Sequence, residues 1–97
     1  MMSNKKQQLL DFLDANLFIP INYSSDVSEQ VRESFNGIRD TLTTLTPEGI
    51  INFFWNTLGS SEIRPVISHC LMEEGIDDYS DVVSDFKMAF TSDWLNA

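Results

Sequence analysis

TPEGIINFFWNTL, residues 46–58, is the densest run of large apolar side chains in the chain, and its reading decides the fold. Thr46 can cap a helix, Pro47 suits a first turn, Glu48 sits at the positive end of the helix dipole, and Gly59 can close the helix in a left-handed cap. Wound at about 100° per residue, Ile50, Ile51, Phe53, Phe54, Trp55 and Leu58 spread over an arc of about 200°, wider than a one-sided stripe. Asn52 and Asn56 make the only clear polar edge. Such a helix needs cover on several sides, so the spacing predicts a central helix over 46–58 with the other elements packed around it.

Outward toward the N-terminus, residues 3–16 read as a first helix with Leu9, Leu10, Phe12, Leu13 and Leu17 on one face. The following LFIPI, residues 17–21, runs apolar through Pro20, which restricts its predecessor and predicts a helix end followed by a strap across the core. Ser24-Ser25-Asp26 offers the cap of a second, longer helix, with Glu29 placed as the capping-box partner of Asp26. Val27, Val31, Phe35, Ile38, Leu42 and Leu45 then form a narrow seam within about 80° of arc, suited to packing against the central helix. Gly37 in that helix costs about 1 kcal/mol relative to alanine, which suggests a close crossing or a bend.

Toward the C-terminus, Gly59-Ser60-Ser61 turns the chain, with Ser61 as cap and Pro65 in the first turn of a fourth helix. Ile63, Val66, Ile67, Cys70 and Leu71 share one face there, and Gly75 supplies a stop. Asp77 or Asp78 opens a fifth helix with Val82, Val83, Phe86, Ala89 and Phe90 inside, and Trp94 and Leu95 fold the tail back onto the domain. The expected fold is all-α: one domain over 1–97, a compact bundle of about five helices around the helix at 46–58.

Composition narrows the function classes. Seven Phe, two Tyr and two Trp argue against intrinsic disorder, and a single cysteine excludes an intramolecular disulfide framework. No apolar run approaches a membrane span, and Lys5 and Lys6 precede an amphipathic segment rather than a signal sequence, so a cytoplasmic protein without membrane contact is expected. The chain carries 15 acidic against 6 basic residues, a net charge of −9. From Glu62 onward only Arg64 and Lys87 oppose eight acids. Direct binding of nucleic acid needs a basic surface, so the charge points instead to a basic protein partner, for instance a nucleic-acid-binding enzyme.

No catalytic set emerges. His69 and Cys70 are the only residues of their types, and neighbours on a helix point about 100° apart, too far for a nucleophile and its base. One His and one Cys do not build a zinc site. Counted from Asp77, the sixth and twelfth positions of a calcium loop fall on Val82 and Met88 instead of Gly and Glu. A helix-turn-helix around Gly59 fails because Pro65 falls where the recognition helix should begin and only Arg64 faces a phosphate. A small acidic helical chain in which Ser61 opens a helix ending Leu71-Met72-Glu73-Glu74 is similar to an acyl carrier protein. That family presents its modified serine in Asp-Ser-Leu, where this chain reads Ser60-Ser61-Glu62-Ile63, and no family is assigned. No enzyme activity, cofactor or metal is expected.

The acids make more sense as a surface. Asp77, Asp81 and Asp85 recur at i, i+4 and i+8 on one helical face, Asp78 lies beside them, and Glu73 and Glu74 end the preceding helix. Each step along that face is about 6 Å, close to the phosphate spacing of a nucleic-acid strand. Met88 falls within the same face, as an adaptable apolar contact. The candidate partner-binding residues are Glu73, Glu74, Asp77, Asp78, Asp81, Asp85 and Met88. The function they imply is a small non-enzymatic binding protein that masks a basic surface: a nuclease inhibitor, immunity protein, antitoxin-like factor or phage anti-defence factor acting as a nucleic-acid mimic. The alternative is a structural subunit that self-associates, as a homodimer or in a larger assembly, through the seam of the second helix or the strap at 18–21.

Overall fold

Thr46 Oγ1 accepts a hydrogen bond from the Gly49 N–H (3.1 Å), and Pro47 takes the first helical position, where a missing N–H does no harm. In the computed structural model, which describes residues 5–24, 27–71 and 79–97, this cap opens a helix that packs on the first helix of the chain and, through Phe54, on the helix carrying Phe86. The elements are α1 (Lys5–Leu13), α2 (Ile19–Tyr23), α3 (Glu29–Leu42), α4 (Pro47–Phe53), α5 (Arg64–Leu71), α6 (Tyr79–Ala89) and α7 (Ser92–Asn96). Two π-helical turns complete them: Asp14–Phe18 joins α1 to α2 without a break, and Phe54–Leu58 extends α4. No strand occurs among the described residues. The Cα radius of gyration, 13.2 Å, is that of a compact domain of this length. No helix among the described residues is long and apolar enough to cross a membrane.

Ile50, Phe54 and Leu58 of the central helix are fully buried, and Leu9, Leu13, Leu17, Leu42, Ile67 and Phe86 converge in the same core. The wide arc is only partly covered: Ile51 and Phe53 are half-buried, and Trp55 is 49% exposed. Gly59 is not left-handed (φ −103°, ψ 8°), and its role is room. Its N–H donates to the Phe54 carbonyl at 2.6 Å, and a Cβ built on it would stand 3.0 Å from the Phe54 ring. That ring is itself stacked on Phe86 at 3.8 Å between centroids and has little freedom to yield.

The strap expected at 17–21 is helix instead. A proline inside a helix removes one N–H donor and crowds the preceding turn. Here the turn just before Pro20 is widened: the Ile19 N–H bonds the Asp14 carbonyl, five residues back, and Ile19 keeps helical angles. Side-chain amides supplement the carbonyls around it, Asn16 Nδ2 donating to the Phe12 carbonyl (2.9 Å) and Asn22 Nδ2 to that of Phe18 (2.8 Å). Leu17, Phe18 and Ile21 are buried along this rod.

The second predicted helix starts later than expected. Ser28 caps it, its Oγ accepting from the Val31 N–H (3.2 Å), and Glu29 pairs with Arg32 at 2.9 Å. Ser25 and Asp26 lie outside the described residues. The seam from Val27 to Leu45 lies in or against the core, and α3 packs mainly on the first rod rather than on the central helix. A two-point ion pair pins the two together, with Arg39 Nε 2.6 Å and Nη2 2.7 Å from the Asp14 carboxylate. This partner pushes the Arg39 pKa further up, so the guanidinium stays charged throughout the useful pH range. Asn22 and Asn36 exchange amide hydrogen bonds beside that pair.

Gly37 makes no close crossing, because a Cβ there would meet nothing within 4 Å. The two glycines therefore give opposite outcomes. Gly37→Ala is expected to raise stability by about 0.5–1 kcal/mol through helix propensity alone. Gly59→Ala is expected to lower it by about 1–2 kcal/mol through the clash with Phe54. Urea denaturation of both variants checks the signs.

Further along, Ser60 rather than Ser61 caps the turn that leads into α5: its carbonyl accepts from the Arg64 N–H (3.0 Å) and its hydroxyl from that of Ile63 (3.4 Å). Ser61 stands exposed in the turn. Of the face expected on α5, Ile67 is buried and Ile63 and Cys70 are half-buried, but Val66 is 54% exposed. The tail folds back as expected. Thr91 caps α7 through the Trp94 N–H (3.1 Å), and Trp94 packs edge-on against Phe90 at 4.8 Å. Lys5 Nζ holds the end of the chain by donating to the carbonyls of Leu95 and Ala97, each at 2.7 Å.

Candidate functional site

The orientation of α6 follows from its inner face. Val82, Val83 and Phe86 are buried, with Phe90 just beyond the helix. Phe86 stacks on Phe54, meets Phe12 edge-on at 5.7 Å and touches Phe90 at 4.9 Å. Tyr79, absent from the expected inner stripe, is the largest fully buried side chain, whereas Ala89, expected inside, is exposed. The first N–H of the helix, that of Tyr79, donates to Ser68 Oγ of α5 at 3.0 Å, which fixes the start of α6 against its neighbour.

With that face locked inward, Asp81, Asp85 and Met88 stand on the opposite side of α6, within about 60° of arc. All three are exposed, Met88 by 78%. Glu73, Glu74, Asp77 and Asp78 lie outside the described residues. Asp81 is in the first helical turn, where the helix dipole favours a carboxylate, and Asp85 is beyond its reach. Lys87, the only base on α6, does not neutralise this face. It projects from the flank, and its Nζ lies 4.4 Å from the centroid of the Trp55 ring. The outer face of α6 thus carries two carboxylates and one adaptable thioether.

Trp55 leads to a second feature. A groove of about 320 Å³ lies between the central helix and the chain segment that carries α7. Ile51, Trp55, Phe90 and Leu95 form its apolar walls, and Glu48, Asn52, Asn56, Thr91 and Ser92 its polar ones. The π-helical turn at 54–58 keeps Phe54 and Leu58 inside while Trp55 and Asn56 face out. Asn52, Trp55 and Asn56 stand at i, i+3 and i+4, one side of a helix, and that spacing was the sequence signal for this wall. Its opposite wall comes from residues 90–95, some forty positions away.

His69 is exposed and Cys70 half-buried on α5. The Cys70 carbonyl accepts a hydrogen bond from the buried Ser24 hydroxyl at 2.9 Å, which makes this stretch part of the scaffold. No three metal-binding side chains converge among the described residues. Of the surfaces offered for self-association, Phe18 and Ile21 are in the core, as are Val27, Phe35 and Leu42 of the seam, with Val31, Ile38 and Leu45 half-buried against it. Comparison with protein-family profiles, curated protein sequences and solved structures returns no match, so the functional reading rests on the residues themselves.

Proposed function

We propose that this chain is a non-enzymatic binding protein that uses the outer face of α6 to mask a basic surface of a protein partner, such as a nuclease or another nucleic-acid-binding enzyme. The observation that carries the reading is the composition of that face. Asp81 and Asp85 are exposed one helical turn apart beside Met88, and the one neighbouring base is turned away onto Trp55. The net charge of −9 adds a long-range field of the same sign, which steers a cationic partner and raises the rate of encounter. Met88 supplies the desolvated contact that paired charges alone lack.

The test is affinity capture from source-cell lysate at low salt, elution by a salt gradient and identification by mass spectrometry. The expected result is one basic, nucleic-acid-handling protein, released between about 0.1 and 0.5 M salt as screening sets in. The pair Asp81→Asn and Asp85→Asn is expected to move elution to lower salt while leaving the fold intact. A partner retained at high salt, or captured equally by the double variant, contradicts the reading.

One observation favours a second reading. Ile19 (51% exposed) and Tyr23 (78% exposed) stand at i and i+4 on α2, an exposed apolar pair suited to self-association. Light scattering separates the two: a dimer that Tyr23→Ser dissolves supports a structural subunit.

A further inference from the structure

We propose that the groove beside Trp55 seats an arginine side chain of the basic partner, an inference that rests on the charge-masking reading and gives it a specific anchor. Three observations converge. First, the indole already receives a cation within the chain: Lys87 Nζ lies over its ring at 4.4 Å. Trp55 is 49% exposed and lines the groove, whereas Lys87 is not part of that lining. Second, the charged residue of the lining is a carboxylate, Glu48, on a chain whose field is strongly negative. Third, Asn52 and Asn56 stand one helical turn apart on the same wall, and their amide oxygens are acceptors for N–H donors.

Aromatic face, carboxylate and amide oxygens together fit a planar guanidinium better than an ammonium. Arginine stacks on rings and spreads five donors in a fixed fork, whereas lysine presents one compact, strongly hydrated charge. A neutral apolar occupant fits poorly, since it would strip water from Glu48 and both asparagines without replacing their hydrogen bonds. The π-helical turn that sets Trp55 and Asn56 at the rim belongs to a class of helix irregularity often found at functional sites. Lys87 enters as a competitor, because its charge opposes a second cation at the same indole.

The probe is acetyl-Gly-Arg-Gly-amide, titrated into the full chain at constant ionic strength, with the isosteric neutral citrulline peptide as control. The readout is the NMR signals of the Trp55 indole N–H and of the Asn52 and Asn56 side-chain amides. The arginine peptide is expected to shift all three with millimolar half-saturation, and the citrulline peptide to shift none. Glu48→Gln is expected to weaken the effect about 3- to 10-fold, and Trp55→Leu, read on the asparagine amides, by a similar factor. Lys87→Met is expected to tighten it about 2- to 3-fold.

The double variant Asp81→Asn and Asp85→Asn is expected to leave peptide binding in the groove within about 2-fold, since neither carboxylate lines it and ionic strength screens their more distant charge. That variant separates the two ideas. Loss of partner capture with the groove shifts intact supports both readings. Partner capture that is sensitive to Asp81 and Asp85, with no shift at Trp55, overturns the groove and leaves the α6 reading standing. Equal shifts from the citrulline peptide, or shifts unchanged in Glu48→Gln and Trp55→Leu, also overturn the groove.

Discussion

Phe86→Ala is expected to cost about 3–5 kcal/mol, a large share of the stability of any domain this small. Phe86 is fully buried, its ring lies against Phe54, Phe12 and Phe90, and it joins the central helix to the helix carrying the acidic face. Truncation opens a cavity that relaxation fills only in part, because Phe54 is itself fully buried and Phe90 is packed against Trp94. Phe86→Leu keeps most of the volume and is expected to cost well under half as much. Equilibrium urea unfolding gives both values. A double-mutant cycle with Phe54→Leu isolates the ring–ring contact, expected at about 0.5–1.5 kcal/mol.

Tyr79→Phe is expected to act in the other direction, stabilising the domain by about 1–3 kcal/mol. Tyr79 is completely buried, and its hydroxyl finds no hydrogen-bond partner among the described residues. A buried donor without a partner pays its desolvation cost in full, and deleting the oxygen removes that cost. The same burial raises the phenol pKa far above its ordinary value of 10. The sign of the linkage follows. Below pH 10 the group is neutral in both states and contributes no pH dependence. Above pH 10 the unfolded chain loses the proton while the folded chain keeps it, so stability falls as pH rises, by about 1.4 kcal/mol per unit. Denaturation between pH 8 and 11 is expected to show this alkaline decline in the wild type and a flatter profile in Tyr79→Phe.

The features legible in the sequence are those set by neighbours along the chain. The Thr46 and Pro47 helix start, the buried row Ile50, Phe54 and Leu58, and the inward stripe of Val82, Val83 and Phe86 all follow from local chemistry and helical period. The exposure of Asp81, Asp85 and Met88 on one face follows from the same period. What escaped depends on non-local packing. Pro20 reads as a helix end until a widened turn absorbs it, because the energy that keeps Leu17, Phe18 and Ile21 helical is burial against other elements. Trp55 reads as core, and it is a rim residue because 90–95 leaves the groove open beside it. Tyr79, left out of the inner stripe, is the largest fully buried side chain of α6. Ser61 reads as the cap before Pro65, and the path of the turn after Gly59 gives the Ile63 N–H to Ser60 instead.

The claim that α6 acts through charge is tested most directly by the association rate with the captured partner, measured by stopped flow as a function of ionic strength. For the wild type, the rate is expected to fall at least tenfold between about 20 and 300 mM salt, with the dissociation rate changing far less. Asp81→Asn with Asp85→Asn is expected to lower the low-salt rate and flatten its salt dependence. A wild-type rate that is flat across that range, or a slope identical in the double variant, contradicts recognition by the acidic face.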